Sequence, residues 1–284
     1  MEKMIKNDAS LRGKIKALAA KHGLRPQEVL QMYLFEHLLM RLSASGHSGE
    51  FVLKGGLLIA SMTGIAQRTT MDMDTTVVGM DMDEETIVRT VSDVCGADVD
   101  DGMEYCLERV EPIREDDEYS NWRAHIRVRY GRIDAPIKVD ITTGDAITPR
   151  QIEYMYPLMF GGGTLPVMSY PLATILAEKF ETVVRRGISN TRGRDLYDIH
   201  VLLRLYAREL DPGQLKEALA ATADKRGSAQ LMPGYAEILS EVSSSPAQAR
   251  IWKSYVSSNR YAEGISLEEA VASAAELGDV IFGR

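Results

Sequence analysis

RTTMDMD (residues 68–74) runs into TTVVG (75–79), and the tripeptide DMD returns at 81–83. Which copy lies on a strand decides the fold. In a strand, residues i and i+2 face the same way, so a strand over 71–78 puts Asp72 and Asp74 side by side. Met71, Met73 and Val77 then take the opposite face. The second copy reads differently. Asp81 stands three residues before Glu84 and just ahead of the apolar positions Ile87, Val88 and Val91. That is a capping-box pattern, with Asp81 accepting a backbone N–H and Glu84 answering it. The first copy therefore predicts a strand and the second a helix start.

Working outward, FVLKGG (51–56) reads as a short strand entering a glycine turn at Gly55 and Gly56, and LLIASMTG (57–64) as a helix closed by Gly64. DEETIVRTVSDVCG (83–96) has helical spacing. WRAHIRVRY (122–130) and PIKVDIT (136–142) alternate as strands and form a hairpin through the five residues GRIDA. In the second strand Ile137, Val139 and Ile141 share one face, and Lys138, Asp140 and Thr142 the other. In the first, Arg123, His125, Arg127 and Arg129 form a polar stripe. GGGTLPVMSYP (161–171) reads as loop, and nearly everything after Pro171 as helix. Upstream, Leu11, Ile15, Leu18 and Ala19 mark a helix that stops at Gly23, and Pro26 opens another. The expected fold is α+β: a small mixed sheet flanked by helices over residues 1–167, then a helical domain over 168–284 that completes the cleft.

The composition narrows the function. The chain has 284 residues with a net charge of −8, which argues against general coating of nucleic acid. No apolar run approaches the ~18 residues of a membrane span, and MEKMIKNDAS lacks the apolar segment of a secretory signal. Cys95 and Cys106 make neither a disulfide framework nor a zinc spacing, which places the protein in the reducing cytoplasm. The histidines never pair at metal-ligand spacing. KHGLRPQEV (21–29) imitates the turn of a helix-turn-helix DNA reader. The helix after it is apolar almost all round, however, whereas a recognition helix must offer polar groups to base edges. We read it as a buried scaffold helix.

The chemistry concentrates on carboxylates. Asp72 and Asp74 repel each other unless a cation sits between them. Magnesium suits such a pair, because it takes one or two carboxylates and completes its shell with water and substrate phosphates. Asp140, on a neighbouring strand, could join them as a third ligand. At Gly55 and Gly56 bare backbone N–H groups could approach a triphosphate. Lys179 falls on the apolar stripe Leu172, Ile175, Leu176, Phe180, Val183. A lysine there is costly unless it is paired or reaches out, so Lys179→Met is expected to be tolerated or even stabilising. Asp195 and Asp198, spaced i,i+3, open the next helix beside Arg192 and Arg194. Arg185, Arg186, Arg192 and Arg194, with Arg127 and Arg129 on the sheet, are candidate contacts to the phosphates of a polynucleotide.

A glycine pair, DxD on a strand and a later aspartate together resemble the nucleotidyltransferase (DNA polymerase β-like) superfamily. FVLKGG, RTTMDMD, KVDITTGDAITP (138–149), YPLATILAEKF (170–180) and NTRGRDLYDI (190–199), in that order, resemble the AbiEii/AbiGii toxin nucleotidyltransferases. That resemblance implies Asp72, Asp74, Lys179 and Asp195 as catalytic residues, with Asp195 the base. It implies Gly55, Gly56, Thr70, Lys179, Arg194 and Asp198 at the nucleotide, and Mg²⁺ (or Mn²⁺) on Asp72 and Asp74 with Asp140. It further implies an NTP substrate, an RNA acceptor (the tRNA 3′ end) and a cognate antitoxin. Arg194 stands where the family more often has lysine, and Thr143 where it often has an aromatic. The rival expectations are nucleotidylation of a protein hydroxyl, a nucleotide- or partner-binding module without turnover, and a DNA regulator.

Overall fold

The computed structural model describes residues 7–113 and 121–284; the first six residues, part of the segment read above for a secretory signal, lie outside it. The chain divides into two compact units, residues 1–145 with 152–169, and residues 146–151 with 170–284. The whole is α+β.

The first unit is built on a seven-stranded mixed sheet. Its strands are β1 (Phe51–Lys54), β2 (Met73–Val77), β3 (Glu104–Pro112), β4 (Trp122–Tyr130), β5 (Ile133–Thr143), β6 (Ile152–Pro157) and β7 (Thr164–Ser169). Their spatial order is β3-β4-β5-β2-β1-β7-β6. β2 runs parallel to β5, and β1 parallel to β7; the other neighbours are antiparallel. Helices α1 (Asp8–His22), α2 (Pro26–Ala44), α3 (Gly55–Thr63) and α4 (Glu84–Gly96) complete the unit.

Strict alternation in β5 sends Ile133, Ala135, Ile137, Val139 and Ile141 into the core. With Phe51, Met73 and Ile126 they line one face, and Leu38 and Leu42 of α2 and Val91 and Val94 of α4 close over it. Each such side chain is worth about 1.5–3 kcal/mol when fully buried. α2 is buried on nearly every side, as a scaffold helix must be. Two of its polar members share one carboxylate: Arg41 grips both oxygens of Asp101 at 2.7 Å, and His37 Nδ1 lies 2.7 Å from the same group. Cys95 and Cys106 are free, and burial pushes the Cys95 thiol up to about 12. Among the described residues no helix is long and apolar enough to cross a membrane.

Three local expectations change. The β4–β5 turn is two residues, Gly131 and Arg132, because Tyr130 pairs with Ile133. Gly131 takes φ +56°, as the first position of a II′ hairpin turn requires. Residues 164–169 form β7 rather than loop. β1 meets β7 only at Leu53 and Ser169, so Pro166 sits where that side carries no ladder. β3 has no counterpart in the sequence reading. It is an edge strand with a register shift between Leu107 and Arg109, and it buries too little to alternate.

The second unit is helical: α5 (Leu172–Arg186), α6 (Gly193–Tyr206), α7 (Pro212–Lys225), α8 (Tyr235–Ser244), α9 (Pro246–Ser258) and α10 (Leu267–Phe282). Its starts are written locally. Asp211 and Ser245 accept the backbone N–H groups of Gln214 and Gln248, each ahead of a proline at the first helical position. Leu176, Phe180, Leu202, Leu215, Tyr235 and Leu277 form its core.

Candidate active site

β1 passes into α3 without a loop, and the junction works only with glycine. Gly55 has φ +64°, and a Cβ there would lie 2.1 Å from Asp74 Oδ2. A Cβ on Gly56 would lie 2.7 Å from Thr70 Oγ1. The Gly56 N–H points at Asp74 Oδ2 at 3.4 Å, a long contact. The glycine pair thus lets one carboxylate and one hydroxyl lie against the first turn of a helix, where unpaired N–H groups favour negative charge. Thr70 Oγ1 also donates to the Asp72 carbonyl at 3.0 Å, which fixes the turn into β2.

The register then lays a charged row across the sheet. Lys54 pairs with Asp74, Asp74 with Asp140, Asp140 with Arg123, and Arg123 with Glu111. Only Asp74 and Asp140 are like-charged neighbours. Asp72 precedes β2 and is exposed as a residue. Partial burial of its carboxyl, then the Asp74 and Asp140 charges, hold its pKa above the ordinary carboxylate value, while Arg123 and Lys138 oppose the shift. The strand expectation for Met71 changes: it lies outside β2 and is 41% exposed.

Asp140 stands in register with Asp74, as expected, but both its oxygens accept from Arg123, at 2.7 and 2.8 Å. Among the described residues no three His, Cys, Asp or Glu side chains form a ready metal cage. The donor set nevertheless fits a hard cation. Burial and the charges of Asp74 and Asp140 raise the Asp72 pKa, so these carboxylates share a field that a cation would relieve, and Mg²⁺ needs no more than one or two from the protein. Lys54, which the sequence reading left without a role, donates to Thr142 Oγ1 at 2.7 Å and pairs with Asp145. Its only signal was its place directly before the glycine pair.

In the second unit Lys179 is 16% exposed and pairs with Asp195 at 2.8 Å and Asp198 at 2.9 Å. Pairing, not escape to solvent, is how this lysine sits on an apolar stripe. The i,i+3 spacing puts both carboxylates on one face of α6, and both are buried. Asp195 Oδ2 is buried with no hydrogen-bond partner among the described residues. Arg194 is exposed. Two of the expected RNA contacts are already engaged. Arg185 donates to buried Glu181 at 2.6 Å, and Arg127 to Glu108 at 2.9 Å.

The second DMD starts a helix, but through another residue than expected. Asp83, not Asp81, is the N-cap of α4, and it accepts the Thr86 N–H at 2.8 Å. Asp81 is exposed, two residues short of the cap.

The chain matches, over residues 37–273, the family described as nucleotidyl transferase AbiEii toxin, Type IV TA system. Among solved structures it is similar to JHP933 from Helicobacter pylori, with TM-score 0.53 and 15% identity over 89% of this chain and 92% of that one. An antigenic nucleotidyltransferase-like protein from Paracoccidioides brasiliensis aligns at TM-score 0.41 and 16% identity, over 74% and 93% of the two chains. No curated protein matches the sequence.

Proposed function

The chain belongs to the AbiEii nucleotidyl transferase toxin family, and from that premise we propose that it transfers a nucleotidyl group from an NTP to a hydroxyl of RNA, at the 3′ end of tRNA. The observation that carries the proposal is the side-chain-free junction at Gly55 and Gly56, against which the Asp74 carboxylate lies. A phosphate-bearing ligand and its cation need that combination of bare backbone N–H groups and paired carboxylates. In the reaction the acceptor oxygen bonds to the α-phosphorus, the bond to the β-phosphate oxygen breaks, and pyrophosphate leaves.

Asp72 and Asp74 would hold Mg²⁺ (or Mn²⁺), which supplies charge neutralisation for the phosphates. The turn at Gly55, Gly56 and Thr70 would orient the triphosphate. By resemblance to the family, Lys179 would meet the phosphates and Asp198 would help place the nucleotide. Asp195 accepts the acceptor's proton, and its buried Oδ2 is the oxygen available for that. Asp140 is given a positioning role: held by two hydrogen bonds, Arg123 is a fixed cation beside the carboxylate pair. Family membership implies a cognate antitoxin as partner.

The test is incubation of the purified protein with each α-labelled NTP and either total tRNA or cell protein. Label in tRNA that disappears with a chelator, and in Asp74→Ala, is the expected outcome. Label in a protein band overturns the acceptor, and labelling of tRNA unaffected by the chelator overturns the cation.

A further inference from the structure

In the second unit, residues 187–194 and 245–262 hold Arg192, Arg194, Arg250, Lys253 and Arg260, and neither Asp nor Glu. These two stretches lie together. Gln248 of α9 donates to the Ile188 carbonyl at 2.7 Å and to the Asn190 carbonyl at 2.8 Å, clamping the helix to the turn. Between them opens a hollow of about 420 Å³, lined by Arg192, Arg194, Ser254, Tyr255, Ser258 and Asn259 among others. That is within the range of about 300–1,000 Å³ for small-ligand sites. None of the described residues that line it is a carboxylate.

The walls are held in place. A Cβ on Gly193 would lie 2.9 Å from Tyr255 Cβ, so the tyrosine packs on bare backbone. Its ring lies 5.8 Å from Tyr197 and 5.7 Å from Trp252. Asn259 donates to the Tyr255 carbonyl and accepts from the Tyr261 hydroxyl, both at 2.8 Å.

We propose that this hollow receives the terminal nucleotide of a single-stranded acceptor RNA, with its phosphodiester on Arg192 and Arg194. The proposal rests on RNA being the acceptor. Guanidinium pairs suit phosphate oxygens, an aromatic wall suits a base face, and hydroxyl and amide groups suit the base edge and the 2′-hydroxyl. The same chemistry would accept a free NTP, but two features favour the strand. A triphosphate arrives with a divalent cation, and this lining offers that cation no carboxylate. The positive charge also continues along α9, where Arg250 lies one turn from Ser254 on the same side, as the track of a polymer requires.

The experiment uses the full chain and a fluorescein-labelled single-stranded oligoribonucleotide, with binding read by anisotropy over a salt series and NTP affinity measured separately. Ser258 is exposed at the end of α9, so Ser258→Glu adds a negative charge to the hollow with the fold retained, as a melting curve verifies; Ser258→Gln controls for size. Ser258→Glu should weaken RNA binding about tenfold and leave NTP affinity unchanged, with Ser258→Gln close to the parent. Arg192→Gln should flatten the salt dependence by about 0.7 log units per log unit, one single-strand phosphate contact. Loss of NTP affinity in place of RNA affinity would assign the hollow to the donor nucleotide and overturn the proposal. So would RNA binding by the parent that Ser258→Glu leaves intact, and that result would spare the RNA acceptor itself. A parent that binds no RNA would overturn both.

Discussion

Asp72-Met73-Asp74 and Asp81-Met82-Asp83 are the same letters in two physical settings. In the first copy Met73 is 2% exposed in the sheet core, and Asp74 is carried by strand register between Lys54 and Asp140. In the second, Met82 lends its carbonyl to Trp122 Nε1 at 2.8 Å, and Asp83 caps α4. A carboxylate in the first setting is surrounded by charge that other segments bring to it; in the second its partner is three residues away on its own chain. Tripeptide identity therefore says little until the element that carries it is known.

The widest separation between the copies is expected in activity. Asp74→Ala should lower transfer by more than about 100-fold, beyond the usual cost of losing an outer partner of a metal site, while Asp81→Ala keeps it. Equal loss in both variants, with the fold preserved, would erase the distinction.

The carboxylates on α6 extend the comparison to a charge cluster with no strand at all. Lys179 is paired with two buried aspartates, which reverses the expectation of a tolerated methionine. Lys179→Met strands Asp195 and Asp198, and breaking such a pair costs about 3–5 kcal/mol. Denaturant unfolding checks the loss. Restoring stability with Asp195→Asn in the same chain, without restoring NTP affinity, would separate the structural part of Lys179 from its proposed contact with phosphate.

How far the sequence reached follows the same divide. Gly23, Pro26, Gly64 and the alternation of Ile137, Val139 and Ile141 were readable because their causes are local or periodic. β3 and β7 were not, because an edge strand with a register shift and a strand containing Pro166 owe their state to neighbours. In the candidate site, the i,i+3 carboxylate pair on α6 needed only spacing, whereas Asp72 falls just outside the strand that the i,i+2 pattern suggested. The Arg123–Asp140 pair and the Lys54–Thr142 bond needed the strand order and register, which no stretch of residues states by itself.

Two variants sharpen the sheet setting. Gly55→Ala forces a side chain into φ +64° and onto the Asp74 carboxylate; the backbone conformation alone costs about 1–2 kcal/mol. Its stability loss should therefore come with lost transfer. A stable and fully active variant would detach Asp74 from the glycine turn. Asp140→Asn keeps the shape but weakens the hold on Arg123. If Asp140 positions Arg123 and leaves the cation to Asp72 and Asp74, Mn²⁺ affinity, followed by electron paramagnetic resonance, should change little while the KM for NTP rises. A collapse of Mn²⁺ affinity would make Asp140 a ligand after all.

The smallest effect belongs to the helix copy, and pH gives it a signature. Asp83→Ala removes the cap of α4 and should lower Tm by ~2–4 °C, the size of an ordinary N-cap loss in a chain of this length. Asp81→Ala should leave Tm nearly where it was. The hydrogen bonds from Thr86 hold the Asp83 carboxyl below its ordinary pKa. A depressed acid stabilises the fold above its unfolded pKa and loses that contribution as pH falls through the folded one. The gap in Tm between parent and Asp83→Ala should thus be full near neutrality and close in acid, below the ordinary carboxylate range. Ionised Asp83 is the better acceptor for the Thr86 N–H, and its protonated form caps poorly. A gap that persists unchanged into acid would mean that alanine disturbs α4 by some route other than the cap. A gap for Asp81→Ala as large as for Asp83→Ala would return the capping role to the residue the sequence pattern first suggested.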